Sequence, residues 1–181
     1  GVGILNELLQ QPDEVPKLIN FGTGDALYVG SGEDFTNFAI VRRGRLFLLD
    51  PSERTIRNLT DLGLLERIEV IYLSHVHYDH IGGVLELALR FLSGESLPRF
   101  RLLTSREVWL QTRDVLFATT GKDASAFEDC FEVIKPSEIV NSAGQPDPDG
   151  DVEVVPLLEG AFRGFTCHLM RTYGHPLPTY A

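Results

Sequence analysis

The chain has 181 residues, a net charge of −10, and 43% hydrophobic against 23% charged residues, the composition of an ordinary globular domain with a real core. No apolar run approaches the ~20 residues that a membrane-spanning helix needs, and the acidic excess counts against a basic face gripping an extended nucleic-acid backbone. Two cysteines, Cys130 and Cys167, make no disulfide framework and no basic-then-apolar leader opens the sequence, so a reduced, cytoplasmic protein is expected.

Apolar residues at helical spacing predict a helix over residues 2–10, broken by Pro12 and Pro16. Residues 1–17 are accordingly expected to form an N-terminal arm or linker, and residues 18–181 one domain. From Leu18 the pattern turns to strands, with Gly22-Thr23-Gly24 as a tight turn before a strand over Ala26–Val29. It lacks the glycine spacing and following lysine of a phosphate loop. Phe38–Val41 and Leu46–Leu49 read as strands joined by a hairpin at Arg43-Gly44. A helix is expected from Ser52 to Leu62, capped by Ser52 and stopped by Gly63. Ile68–Leu73 reads as a buried strand, and Gly82-Gly83 as the lead into a helix over Val84–Leu92. Arg99–Leu103 reads as a strand and Arg106–Phe117 as a helix, with Trp109 in packing. Ala118–Ser125 is expected to be a mobile loop. Gln145–Asp151 reads as a turn before strand alternation resumes at Val152. Strands alternating with helices imply a mixed α/β layer fold.

The chemistry concentrates in Ser74-His75-Val76-His77-Tyr78-Asp79-His80. Residues two apart in an extended segment point to one side, so His75 and His77 can face one ion. Asp79 and His80 come round to a second position as the chain turns into the next helix. Imidazole suits zinc, iron and manganese, and a neighbouring carboxylate hardens the site. Gly82 and Gly83 are read as letting the backbone pass close to the metals. An exposed polar loop would explain the residue types, but not three of five histidines within six residues directly after a strand too apolar to be exposed.

Ser-His-Val-His-Tyr-Asp-His-Ile-Gly-Gly is similar to the His-x-His-x-Asp-His signature of the metallo-β-lactamase superfamily. Phe47-Leu48-Leu49-Asp50 resembles the family's earlier strand, whose terminal Asp supports the metal ligands from behind. Gly22-Thr23-Gly24 and Thr36-Asn37-Phe38 resemble the opening strands of its ribonuclease Z and phosphodiesterase branch. The resemblance implies an αββα sandwich holding two divalent ions, zinc first, with manganese or iron as alternatives. His75 and His77 would hold the first ion, and Asp79 and His80 the second, with Asp79 also steering the nucleophilic water. Two candidates remain for the third ligand of the first ion. His168 sits within a strand, while His175 opens His-Pro-Leu-Pro-Thr, which resembles the branch's His-x-x-Pro-Ser/Thr pattern and is favoured. The family's later bridging Asp and final His do not occur after His175, so the chain is expected to be the N-terminal portion of the fold.

The implied function is metal-dependent hydrolysis of a phosphodiester. A small nucleotide-like substrate, cyclic or short, fits the acidic balance better than transfer RNA. No membrane partner is expected, and an oligomer is compatible with the sequence. The alternatives are a di-iron oxygen or redox sensor on the same ligands, a lactone or thioester hydrolase, and a metal-binding scaffold without catalysis.

Overall fold

Three antiparallel strands start the main sheet, the second and third joined by a tight turn. A computed structural model describes residues 2–10, 14–22, 37–172 and 179–180. Strand β1 (Lys17–Gly22) pairs antiparallel with β2 (Asn37–Arg42), and β2 with β3 (Arg45–Leu49). Arg43 and Gly44 turn the hairpin with φ of 50° and 70°, the left-handed pair that a two-residue loop between twisted strands requires. Helix α1 (Val2–Gln10) lies on this hairpin, burying Leu5 and Leu9 in the core. Gly44 is fixed from both directions, because a Cβ there would stand 2.7 Å from the Leu9 carbonyl oxygen.

Beyond β3 the sheet becomes parallel. Strands β4 (Ile68–Tyr72), β5 (Phe100–Leu103) and β6 (Phe131–Ile134) complete the order β1-β2-β3-β4-β5-β6. Parallel neighbours need crossovers, supplied by α2 (Glu53–Asp61), α3 (Tyr78–Leu92) and α4 (Arg106–Thr120). Each crossover helix buries an apolar stripe, with Ile56 and Leu59, Val84 and Leu87, and Val108 and Leu116 in one core cluster. The second sheet, β7 (Glu138–Val140), β8 (Val152–Pro156), β9 (Thr166–Thr172) and β10 (Thr179–Tyr180), is antiparallel in the order β10-β9-β8-β7. Val155, Leu157, Phe162 and Leu169 from its region join the same cluster. Phe162 meets Phe47 edge to face at 5.5 Å, so side chains from both sheets interlock in one core.

Several expected boundaries move. Ser52 does cap α2, accepting the Thr55 N–H at 3.0 Å, and Gly63 ends it with φ of 66°. Helix α3 begins at Tyr78 rather than Val84, so Gly82 and Gly83 lie inside it. A Cβ on Gly83 would stand 2.3 Å from the Pro51 carbonyl oxygen, and one on Gly82 3.2 Å from the Glu53 nitrogen. The two glycines therefore serve the close packing of α3 on the start of α2, not clearance for metals. Helix α4 runs to Thr120, where Gly121 caps it in the left-handed region, and Ala124–Phe127 forms a 3-10 turn where a loop was expected. Gly22 belongs to β1, while the turn and strand expected over residues 23–36 lie outside the described residues. Strands β6 and β7, with only four and three residues, carry too little pattern to be read from sequence.

Candidate metal centre

Strand β4 and helix α3 position the histidine segment. Leu73 leaves the sheet by donating its N–H to the Leu103 carbonyl at 3.0 Å, Ser74 and His75 are buried, and His77 is the residue from which α3 starts. Asp79 and His80 therefore occupy the first turn of a helix. Across from them, Asp50 ends β3 with φ of 48°, a left-handed conformation that Asp tolerates better than most residues. Its own N–H is held by the Tyr72 carbonyl at 3.0 Å.

Asp50 ties the segment together. One carboxylate oxygen accepts the Ser74 N–H at 2.7 Å, and the other accepts the Ser74 hydroxyl at 2.6 Å. That hydroxyl proton is thus committed, so Ser74 Oγ accepts from His75 Nδ1, 2.9 Å away. The Nδ1 position of His75 carries the proton, and its Nε2 presents a lone pair. His80 Nδ1 stands 3.0 Å from Asp50 Oδ2. The N–H is off the line of that oxygen, leaving Nδ1 without an aligned hydrogen bond. The contact is better described as an ion pair, and it again turns Nε2 outward. Burial disfavours a charged His80, but contact with Asp50 and the charges of Asp50 and Asp79 outweigh it and hold the imidazole above its usual range.

The outward atoms come in two pairs. His75 Nε2 and His77 Nδ1 are 3.2 Å apart, and His80 Nε2 is 3.2 Å from Asp79 Oδ2. Atoms bound to one zinc ion at ~2.0–2.1 Å stand about 3.0–3.4 Å apart from their neighbours, so both spacings fit donors of a shared ion. The pairs adjoin, with the rings of His75 and His80 4.0 Å apart between centroids. Among the described residues no group of three donors converges on one ion. His175 lies outside the described residues. His168 is exposed on β9 opposite Val154, a strand residue of the second sheet. Donor type, spacing and hydrogen-bonded backing are compatible with divalent ions at these two pairs, each pair offering two side-chain donors.

Two contacts were not visible in the sequence. Ser74 acts as the link between Asp50 and His75; its place directly before the first histidine was the only available signal. Tyr78, exposed between the two donor pairs in sequence, donates its hydroxyl to Glu53 at 2.5 Å. This bond joins the first turns of α2 and α3, and Arg57 holds Glu53 from the other side at 2.7 Å. Cys130 and Cys167 form no disulfide, and burial pushes the Cys130 thiol up to about 12, so it is inert packing.

Comparison with known proteins places this arrangement. The family model described as anti-Pycsar protein Apyc1 matches residues 16–155, which span both the site and most of the chain. The chain belongs to the Apyc1 family. Apyc1 proteins of the Bacillus phages vB_BveM-Goe7 and vB_BsuM-Goe3 are each 38% identical to it over 79 residues, covering 42% of this chain and 29% of theirs. The match thus spans less than a third of those relatives. Among solved structures, the short form of human tRNase Z superposes with a TM-score of 0.58 at 21% identity, covering 92% of this chain and 62% of that one. The metallo-β-lactamase fold protein YhfI from Bacillus subtilis gives 0.52 at 16% identity, covering 86% and 57%. This Apyc1-family chain therefore has the metallo-β-lactamase fold. No described helix is long and apolar enough to cross a membrane.

Proposed function

We propose that this chain carries the metal-holding portion of a dinuclear phosphodiester hydrolase whose substrate is a small nucleotide, cyclic or short. The observation that carries the reading is the pair of 3.2 Å donor contacts, His75 with His77 and Asp79 with His80, set side by side on one carboxylate support. His75 and His77 would hold one ion, with His175 as the proposed third ligand, and Asp79 and His80 would hold the other. Bound there, divalent ions supply Lewis acidity, making water a nucleophile near neutral pH and offsetting charge on the attacked phosphoryl group.

The chain's own groups do the positioning. Asp50 would favour a proton on the Nδ1 of His75 through Ser74, and would favour one on the Nδ1 of His80 by the charge of its carboxylate 3.0 Å away. Asp79 has one oxygen against His80, and in this reading its carboxylate would also accept a hydrogen bond from the attacking water and steer it. The human tRNase Z takes transfer RNA as its name states, but a net charge of −10 favours a substrate with few phosphates.

Assay of the protein with 3′,5′-cyclic mononucleotides, a bis-aryl phosphodiester and transfer RNA tests this. Hydrolysis of the small diesters is expected, abolished by a chelator, restored by zinc or manganese, and lost in His77→Ala. Activity that survives His77→Ala, or is confined to transfer RNA, would overturn the proposal.

A further inference from the structure

Away from the histidine segment, Trp109 stands between two adjoining clefts that the proposed reaction does not use. The first, of about 540 Å³, is lined by Trp109 and Arg113 of α4, by Phe127, and by Val133 and Lys135 at the open edge of the main sheet. The second, of about 450 Å³, shares Trp109, Val133 and Lys135 and continues to Arg106 and Ile139. Both volumes lie within the range of small-ligand sites. Strand β6 is two places from β4 in the sheet, so the clefts are displaced from the metal centre by roughly 10 Å in the plane of the strands.

The lining is chemically selective. Trp109 packs partly against the core, as its helical position leads one to expect, yet its indole N–H has no partner among the described residues. Arg113 follows Trp109 by one helical turn and so lies on the same side of α4, and Lys135 approaches from the sheet edge. Neither Arg113 nor Lys135 forms an ion pair or hydrogen bond among the described residues. Of the two carboxylates in the first cleft, Glu132 is engaged by Arg99 at 3.5 Å, which leaves Glu128 against Arg113 and Lys135, while Asp114 and Asp123 line the neighbouring cleft on the far side of Arg113. In a chain of net charge −10, a cluster with that balance marks a place for an anion. A flat aromatic wall beside it marks a place for a ring.

We propose that this cleft is a second ligand site for a planar base carrying a phosphate, of the nucleoside monophosphate type. The base stacks on Trp109, and the phosphate is held by Arg113 and Lys135. Occupancy does not depend on hydrolysis at the metal centre, so the two readings can fail separately.

Trp109 is the only tryptophan in the chain, so its fluorescence reports on this site directly. Adenosine monophosphate, adenosine, ribose 5-phosphate, a short single-stranded oligonucleotide and an acidic peptide would each be titrated into chelator-treated protein, with equilibrium dialysis as the independent measure. Saturable quenching by adenosine monophosphate is expected, with adenosine and ribose 5-phosphate each weaker by about tenfold or more. Arg113→Gln/Lys135→Gln, both at the cleft surface, should weaken adenosine monophosphate binding by at least about tenfold and leave the thermal melt unchanged. Trp109→Leu should lose binding by dialysis. Binding should persist in His77→Ala. A tighter oligonucleotide would identify a strand as the source of the base and phosphate, and an equal one a free nucleotide. The proposal is overturned by absence of saturable quenching, by indifference to the double variant, by loss of binding in His77→Ala, or by an acidic peptide that binds more tightly than the nucleotide.

Discussion

Asp50→Asn isolates the support of the histidine segment with little change of shape. Asn tolerates the left-handed backbone found at this position, so the substitution changes hydrogen bonding and charge but not the turn. The carboxylate faces three donors, the Ser74 N–H at 2.7 Å, the Ser74 hydroxyl at 2.6 Å and His80 Nδ1 at 3.0 Å. An amide offers one oxygen, and its NH2 group must then face a donor. At least one charge-assisted contact in a largely buried spot is lost, which costs about 1.5–3 kcal/mol. For a domain of this size that corresponds to a melting temperature lower by roughly 3–12 °C. The same change releases the proton positions of His75 and His80, so metal affinity should fall about 10–100-fold. Thermal and urea unfolding of chelator-treated protein would give the first quantity, and zinc titration against a competing chelator the second. A variant that keeps both its stability and its zinc affinity would refute the role assigned to Asp50.

Three further outcomes follow from the packing and the charges. Gly83→Ala should destabilise by about 1–3 kcal/mol because its Cβ meets the Pro51 carbonyl; were α3 not tightly seated on α2, alanine would stabilise the helix by up to about 1 kcal/mol, so the sign of the change in unfolding midpoint decides. Leu5→Ala should cost about 2–5 kcal/mol by urea unfolding if α1 belongs to the domain's core, whereas a loosely attached arm would show almost no change. Glu153 is buried and accepts the Arg106 N–H at the start of α4, and burial holds its carboxyl above the usual range. Its raised folded-state pKa means a contribution fully present below about pH 4.3 and lost as the pH rises through the folded value. Stability measured from pH 4 upward should therefore shift steadily in favour of Glu153→Gln relative to the parent, then level off once Glu153 is ionised; a difference that does not vary with pH would contradict this.

The main sheet and the metal segment were legible because each rests on local signals. Ile68–Tyr72 is apolar at every position but Glu69, Ser52 and Gly63 bracket α2, and Arg43-Gly44 spells a hairpin, so strand, helix and turn follow from neighbouring residues alone. The two glycines after His80 misled, since glycine reads as a helix breaker in sequence while here it is the contact point between two helices. Only the third dimension shows that Pro51 and Glu53 occupy the space of the missing side chains. The relay through Ser74 was hidden for a similar reason. It depends on Asp50, 24 residues earlier, arriving beside it through the parallel pairing of β3 and β4. The cleft around Trp109 could not be read at all, because it needs β6, a strand too short to announce itself, to bring Lys135 opposite α4.

Metal stoichiometry tests the central claim most directly. Protein purified without chelators, and protein reloaded with zinc after stripping, would be measured by elemental analysis alongside His77→Ala and Asp79→Ala. The proposed dinuclear centre predicts about two ions per chain, with each variant losing affinity at its own member of the pair. Absence of saturable zinc binding, or binding that neither substitution weakens, would contradict a dinuclear centre at His75, His77, Asp79 and His80.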